Sequence, residues 1–174
     1  DPVVVAHSFG GLVALAAAPS LDIRRLILYE PAVTVGDGAD PPLSAQVGSL
    51  ATDGSETEAM RLFFEAGSGI PDVTAMPWWP EQINMDWIDT VIRELEAVEA
   101  FALPTLDFET PTLLLIGEHG PQHLAEGARA VADAHEESRL VEIDGVGHLG
   151  LLSEPEHVAE LVTTFSDDPT AVDQ

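Results

Sequence analysis

The sequence predicts an α/β fold with a parallel sheet, on three observations. Four short runs, "VVVA", "LILY", "TLLLI" and "LVEI", are largely apolar rather than alternating, as expected of strands covered on both faces. Stretches of helical character separate or follow them. The order strand, helix, strand, insertion, strand, helix, strand, helix is that of parallel strands joined by crossovers.

Each element has its own signal. Pro2 to Ala6 reads as the first strand, and Gly11 to Ala18 as a helix of Ala and Leu stopped by Pro19. Leu26 to Tyr29 is a second buried strand, closed by Glu30 and Pro31. Residues 34 to 58 are rich in Gly, Asp, Pro and Ser and read as loop. Glu56 to Ala66 is helical, "IPDVTAMPWWPEQINMDW" interrupts it, and Asp86 to Ala102 reads as an amphipathic helix. Thr112 to Ile116 is the third strand, Gln122 to His135 a helix and Leu140 to Ile143 the fourth strand. Pro155 to Phe165 is a last helix, with Val158, Leu161, Val162 and Phe165 on one face. The predicted division is a core segment 1–39, an insertion 40–105, a second core segment 106–166 and a polar tail 167–174.

Composition limits what such a protein does. The chain has 174 residues and is 45% hydrophobic, enough for a core of ordinary size. It carries 31 acidic side chains against six arginines and no lysine, a formal charge of -25. A surface of that sign repels nucleic acid and anionic lipid, so neither nucleic acid nor membrane is an expected partner. Absence of Lys beside abundant Asp and Glu resembles halophilic proteins, whose self-repulsion is screened by a salt-rich cytoplasm, and a cytoplasmic location is expected. There is no Cys, hence no disulfide framework or thiol chemistry. The first residue is Asp1 and an apolar run begins at Val3, so the chain is expected to lack an N-terminal part of a longer protein.

Chemistry concentrates at "AHSFGG", residues 6 to 11. A helix that starts directly at the end of a parallel strand needs a very tight turn. Small residues at Ala6 and Gly10 fit around such a turn, and it lifts the Ser8 hydroxyl clear of the backbone. The free N–H groups of the helix start, beginning with Phe9, then point at an oxyanion formed beside it. That arrangement is a nucleophile elbow, although Ala6 stands where the usual pattern has Gly. The plainer alternative is a serine capping a helix. A serine also needs a base, and His148 lies in "DGVGHLG", after the fourth strand and before the last helix. His7 adjoins Ser8 but points elsewhere in such a turn. His119 and His123, with Glu118, have a spacing compatible with a metal, but read better as exposed residues at a helix start, and no metal is expected. His135 and His157 read as helix surface residues.

Together "VVVAHSFGG", "LILYEPA", "PTLLLIGEHG" and "GVGHLGLLSEPEHVAELVTTF" resemble the C-terminal two thirds of an α/β-hydrolase of the serine type. The resemblance implies that residues 40–105 form a helical cap, that Ser8 and His148 belong to a catalytic triad, and that no cofactor is needed. It also implies that the second oxyanion donor comes from a loop before the first strand seen here. The acid is where the sequence departs from the family pattern. Many members carry Asp three residues after the Gly that ends the third strand, here Gly117, and the matching position holds Gly120. Two carboxylates remain open: Glu30, at the end of the second strand, is preferred for its place in the sheet, and Glu118 is the alternative. The plainer reading of Glu30 is a carboxylate bonded to backbone N–H groups. The implied activity is cleavage of an ester or related acyl bond of a small-molecule substrate. Acyl transfer, C–C hydrolysis and a non-catalytic ligand-binding module are the rivals. Trp78, Trp79 and Trp87 are candidates for substrate contact, with simple packing as the plainer account. Oligomeric state is open.

Overall fold

Four parallel strands bring their C-terminal ends to one edge, and that edge positions the site described below. The computed structural model describes residues 1–36, 41–103, 106 and 108–172. The strands are β1 (Val3–His7), β2 (Arg25–Tyr29), β3 (Thr112–Gly117) and β4 (Ser138–Ile143), in the spatial order β1-β2-β3-β4. Register pairs His7 with Tyr29, Tyr29 with Leu115, and Gly117 with Ile143. The helices among the described residues are α1 (Phe9–Ala17), α2 (Leu43–Thr52), α3 (Glu56–Ser68), α4 (Ile88–Ala100), α5 (Gln122–Ala134), α6 (Gly150–Ser153) and α7 (Pro155–Asp167). None is long and apolar enough to cross a membrane.

The chain separates into two compact units, Asp1–Val35 with Ala102–Gln174, and Gly36–Phe101. The first holds the whole sheet. Its central strands explain the unbroken apolar runs: Leu26 to Tyr29 and Leu113 to Leu115 are wholly inaccessible, because helices and loops cover both faces. Ile27, Tyr29, Leu113 and Leu115 pack with Val158 and Phe165 of α7. Each such side chain contributes about 1.5–3 kcal/mol relative to exposure. β1 and β4 are the edge strands among the described residues, and Val5 of β1 is exposed.

The second unit is helical. Val47 of α2, Ala59 and Met60 of α3, and Ile88 and Val91 of α4 form its core. The sequence reading of 34–58 as loop is corrected here, since α2 occupies Leu43–Thr52. Leu43, Val47 and Leu50 recur at helical spacing, but Gly48 and the serines between them dilute the signal, and packing against α3 and α4 overrides composition. The Ser44 N–H donates to Glu99 Oε1 of α4 at 2.9 Å. Within that reading, residues 37–40 lie outside the described residues. Smaller differences are a fourth strand that starts at Ser138 rather than Leu140, and a turn at Met85–Trp87 before α4.

Candidate active site

β1 ends at His7 and α1 begins at Phe9, so a single residue, Ser8, makes the turn between strand and helix. Its backbone sits at φ 53° and ψ -123°, a region that costs a non-glycine residue about 1–3 kcal/mol. Backbone bonds to β2, to α1 and to the segment after β2 hold it there. The Ser8 N–H donates to the Tyr29 carbonyl at 3.1 Å, and its own carbonyl accepts from Gly11 and Ala32 N–H groups, each at 2.9 Å. The Ser8 side chain makes no capping bond to α1, so the helix-cap reading is not what the residue does. Phe9 is the first residue of α1, where an N–H has no intrahelical partner. The space requirement falls on a different glycine from the one the motif indicated. A Cβ on Gly10 would meet open space, whereas one on Gly11 would lie 2.7 Å from Pro31 Cβ.

Glu30 directly follows β2 and shares a left-handed backbone, φ 41°; among the described residues Ser8 and Glu30 are the non-glycine positions with positive φ. Its N–H donates to the Leu115 carbonyl at 2.8 Å. The carboxylate is completely buried, where an unpaired charge is prohibitively costly. Both oxygens are engaged: Oε1 accepts from the Gly117 N–H at 2.9 Å, and Oε2 lies 2.6 Å from His148 Nδ1. Gly120 makes room for it, since a Cβ there would stand 1.8 Å from Glu30 Oε1. The glycine at the family's usual Asp position is thus the space that the Glu30 carboxylate occupies.

Glu118 is placed otherwise. Its side chain is about half exposed, at 48%, and Oε2 accepts from the Gly145 N–H at 2.8 Å. That bond belongs to a series along the loop that carries His148. The Val146 carbonyl accepts from the His119 N–H at 2.8 Å. The Gly147 carbonyl accepts from the Tyr29 hydroxyl at 2.7 Å. The His148 carbonyl lies 2.9 Å from His7 Nε2. Four consecutive residues of the loop are therefore each held by the strand ends. Burial and the Glu30 charge push the Tyr29 hydroxyl up to about 12, so it stays a donor over the neutral range. Burial, then the neighbouring His148, lowers His7 below the ordinary imidazole value.

Ser8, Glu30 and His148 thus share the C-terminal edge of the sheet. The His7 ring, next in sequence to Ser8, lies 4.4 Å from the His148 ring, centroid to centroid. Among the described residues there is no hydrogen bond between the Ser8 hydroxyl and His148, a bond that often tightens only when substrate is present. The other histidines do not join this pair. His119 lies 3.9 Å from Glu118 and is exposed. His123 sits in the first turn of α5, its value lowered by burial first and by His148 second. His157 is exposed. His135, read from sequence as a surface residue, is instead buried at the end of α5, with Nε2 2.9 Å from the Thr110 carbonyl and its ring 4.4 Å from that of Phe108. No three His, Cys, Asp or Glu side chains among the described residues gather as metal ligands. In the second unit Trp78 packs tilted against Phe64 at 5.4 Å and Trp79 meets it edge-on at 6.2 Å, while Trp87 is 64% exposed.

Comparison with known proteins agrees with this architecture. A family model described as alpha/beta hydrolase family matches residues 1–161. No curated protein sequence matches the chain. Among solved structures, MGS-M2, an alpha/beta hydrolase enzyme from a Medee basin deep-sea metagenome library, is similar with a TM-score of 0.76 at 19% identity over 99% of this chain. An alpha/beta hydrolase from Sphaerobacter thermophilus is similar at 27% identity and TM-score 0.71 over 92%. An esterase from Exiguobacterium antarcticum is similar at 19% and 0.68 over 95%. The chain spans 66% of the length of each of these structures. A four-stranded parallel sheet flanked by helices, a strained serine between its first strand and helix, and a match over most of the sequence place this chain in the alpha/beta hydrolase family.

Proposed function

We propose that this protein is a serine hydrolase that cleaves an ester or related acyl bond through Ser8, His148 and Glu30. The observation that carries the reading is the buried Glu30–His148 pair, 2.6 Å apart, at the same sheet edge as the strained Ser8. A fully buried carboxylate that meets an imidazole at Nδ1 sets the tautomer: Nδ1 keeps its proton towards Glu30, and Nε2 is left as the base. Ser8 Oγ attacks the acyl carbon as Nε2 takes its proton. The imidazolium so formed is stabilised by Glu30 and returns the proton to the leaving oxygen. Water attacks the acyl-enzyme by the same route in reverse. The Phe9 N–H is a donor to the oxyanion, a role worth about 3 kcal/mol.

Glu30 rather than Glu118 is the acid in this reading, because a half-exposed carboxylate already bonded to the Gly145 N–H neither reaches His148 nor gains from a dry environment. The test is labelling by a fluorophosphonate probe in concentrated salt, which the -25 charge recommends. Stoichiometric labelling that Ser8→Ala abolishes is the expected result. Labelling that survives this change, or its absence in the unaltered protein, overturns the hydrolase reading in favour of a ligand-binding module.

A further inference from the structure

His7 is a polar residue at the end of β1 that the proposed triad does not use. Its position is nonetheless specific. Nε2 lies 2.9 Å from the carbonyl oxygen of His148 itself. Its ring stands 4.4 Å from the His148 ring, tilted by 37°, and meets the Tyr29 ring edge-on at 5.6 Å. His7 and Tyr29 are register partners across β1 and β2, and they hold the carbonyls of two successive residues, His148 and Gly147. A carbonyl accepts only from a protonated nitrogen, so Nε2 carries the hydrogen and a neutral His7 ring leaves Nδ1 bare. This bond commits Nε2 to the backbone, and His7 is therefore no rival to His148 as base for Ser8.

We propose that His7 is a positioning residue for His148, whose Nε2–H grips the His148 main chain so that the imidazole is kept on Glu30. The inference rests on the hydrolase reading above for its effect on turnover, but not for its effect on the ring. The opposed tautomers follow from it: hydrogen on Nε2 in His7 and on Nδ1 in His148. A lowered proton affinity suits the role, because a second cation 4.4 Å away would oppose the imidazolium that His148 becomes during reaction.

The test compares His7→Phe, which keeps a ring but no donor, with His7→Gln, whose amide places an N–H near the position of Nε2. Turnover of p-nitrophenyl acetate and the nitrogen-15 and proton NMR signals of His148 are read in both. His7→Phe is expected to lower kcat about 10- to 100-fold with KM little changed, and to broaden the hydrogen-bonded Nδ1 proton of His148. His7→Gln is expected to restore both to within a few-fold. An unchanged His148 signal in His7→Phe overturns the proposal, as does a His7→Gln variant that folds and is as impaired as His7→Phe. If the unaltered protein shows no reaction at Ser8, the hydrolase reading falls, and the His148 signals in the two variants still decide whether His7 positions the ring.

Discussion

The two central strands end in opposite ways. β2 ends in Glu30, a carboxylate with no solvent exposure and both oxygens bonded. β3 ends in Gly117, followed by a half-exposed Glu118 and a bare Gly120. Each strand end supplies a carboxylate to the same loop, yet one meets the His148 ring and the other the Gly145 N–H. What separates them is volume. The Glu30 chain reaches across from β2 into the space beside Gly120, and a side chain rooted at that position would collide with it. A carboxylate's place is thus set by where its charge is desolvated and paired, not by which strand carries it.

The sharpest way to break this comparison is Glu30→Gln. The amide oxygen keeps the Gly117 N–H bond, which turns the amide NH2 towards His148 Nδ1 and forces the ring into the tautomer with hydrogen on Nε2. That ring takes no proton from Ser8, and kcat is expected to fall about 10⁴-fold, as for the analogous change in serine proteases. The measurement is probe-labelling rate and ester turnover at saturating substrate. Activity within tenfold of the unaltered protein removes Glu30 from the triad.

Gly120→Ala tests the volume argument without touching a charge. Its Cβ falls 1.8 Å from Glu30 Oε1, so the carboxylate or the loop moves. We expect a loss of about 1–3 kcal/mol in stability by denaturant titration, typical of overpacking, together with reduced turnover. A variant as stable and active as the original shows that the space beside Gly120 is not what holds Glu30.

How much of this was legible beforehand depends on the kind of signal. β2 and β3 are buried on both faces, and their unbroken apolar runs announced them within a residue at each end. The Ser8 turn was legible because a tight strand-to-helix junction demands both the apolar run before it and the small residues after it. The identity of the crowded glycine was not, since the approach of Pro31 to Gly11 is a contact between elements rather than a property of either. α2 was hidden for a similar reason: its intrinsic preference is weak, and its burial against α3 and α4 decides the matter. His135 looked like a surface residue because nothing in its own helix predicts that Phe108 and the Thr110 carbonyl close over it. Glu30 was found as a candidate through its place at a strand end. The reason for Gly120 emerged only with the carboxylate beside it.

Glu118 sets the smallest expected effect and completes the contrast. Its carboxylate is half exposed, so solvent already screens it. Glu118→Gln keeps an oxygen acceptor for the Gly145 N–H and is expected to leave turnover within a few-fold and stability within about 0.5 kcal/mol. Glu118→Ala removes the acceptor and leaves Gly145 N–H to water, at a cost of about 1 kcal/mol. Thermal melts and ester kinetics on the pair separate the two contributions. If Glu118→Gln instead lowers turnover by orders of magnitude while Glu30→Gln does not, the exposed carboxylate is the one that acts on His148. The buried one would then be a structural group that merely binds a backbone N–H at Gly117 and a neighbouring ring.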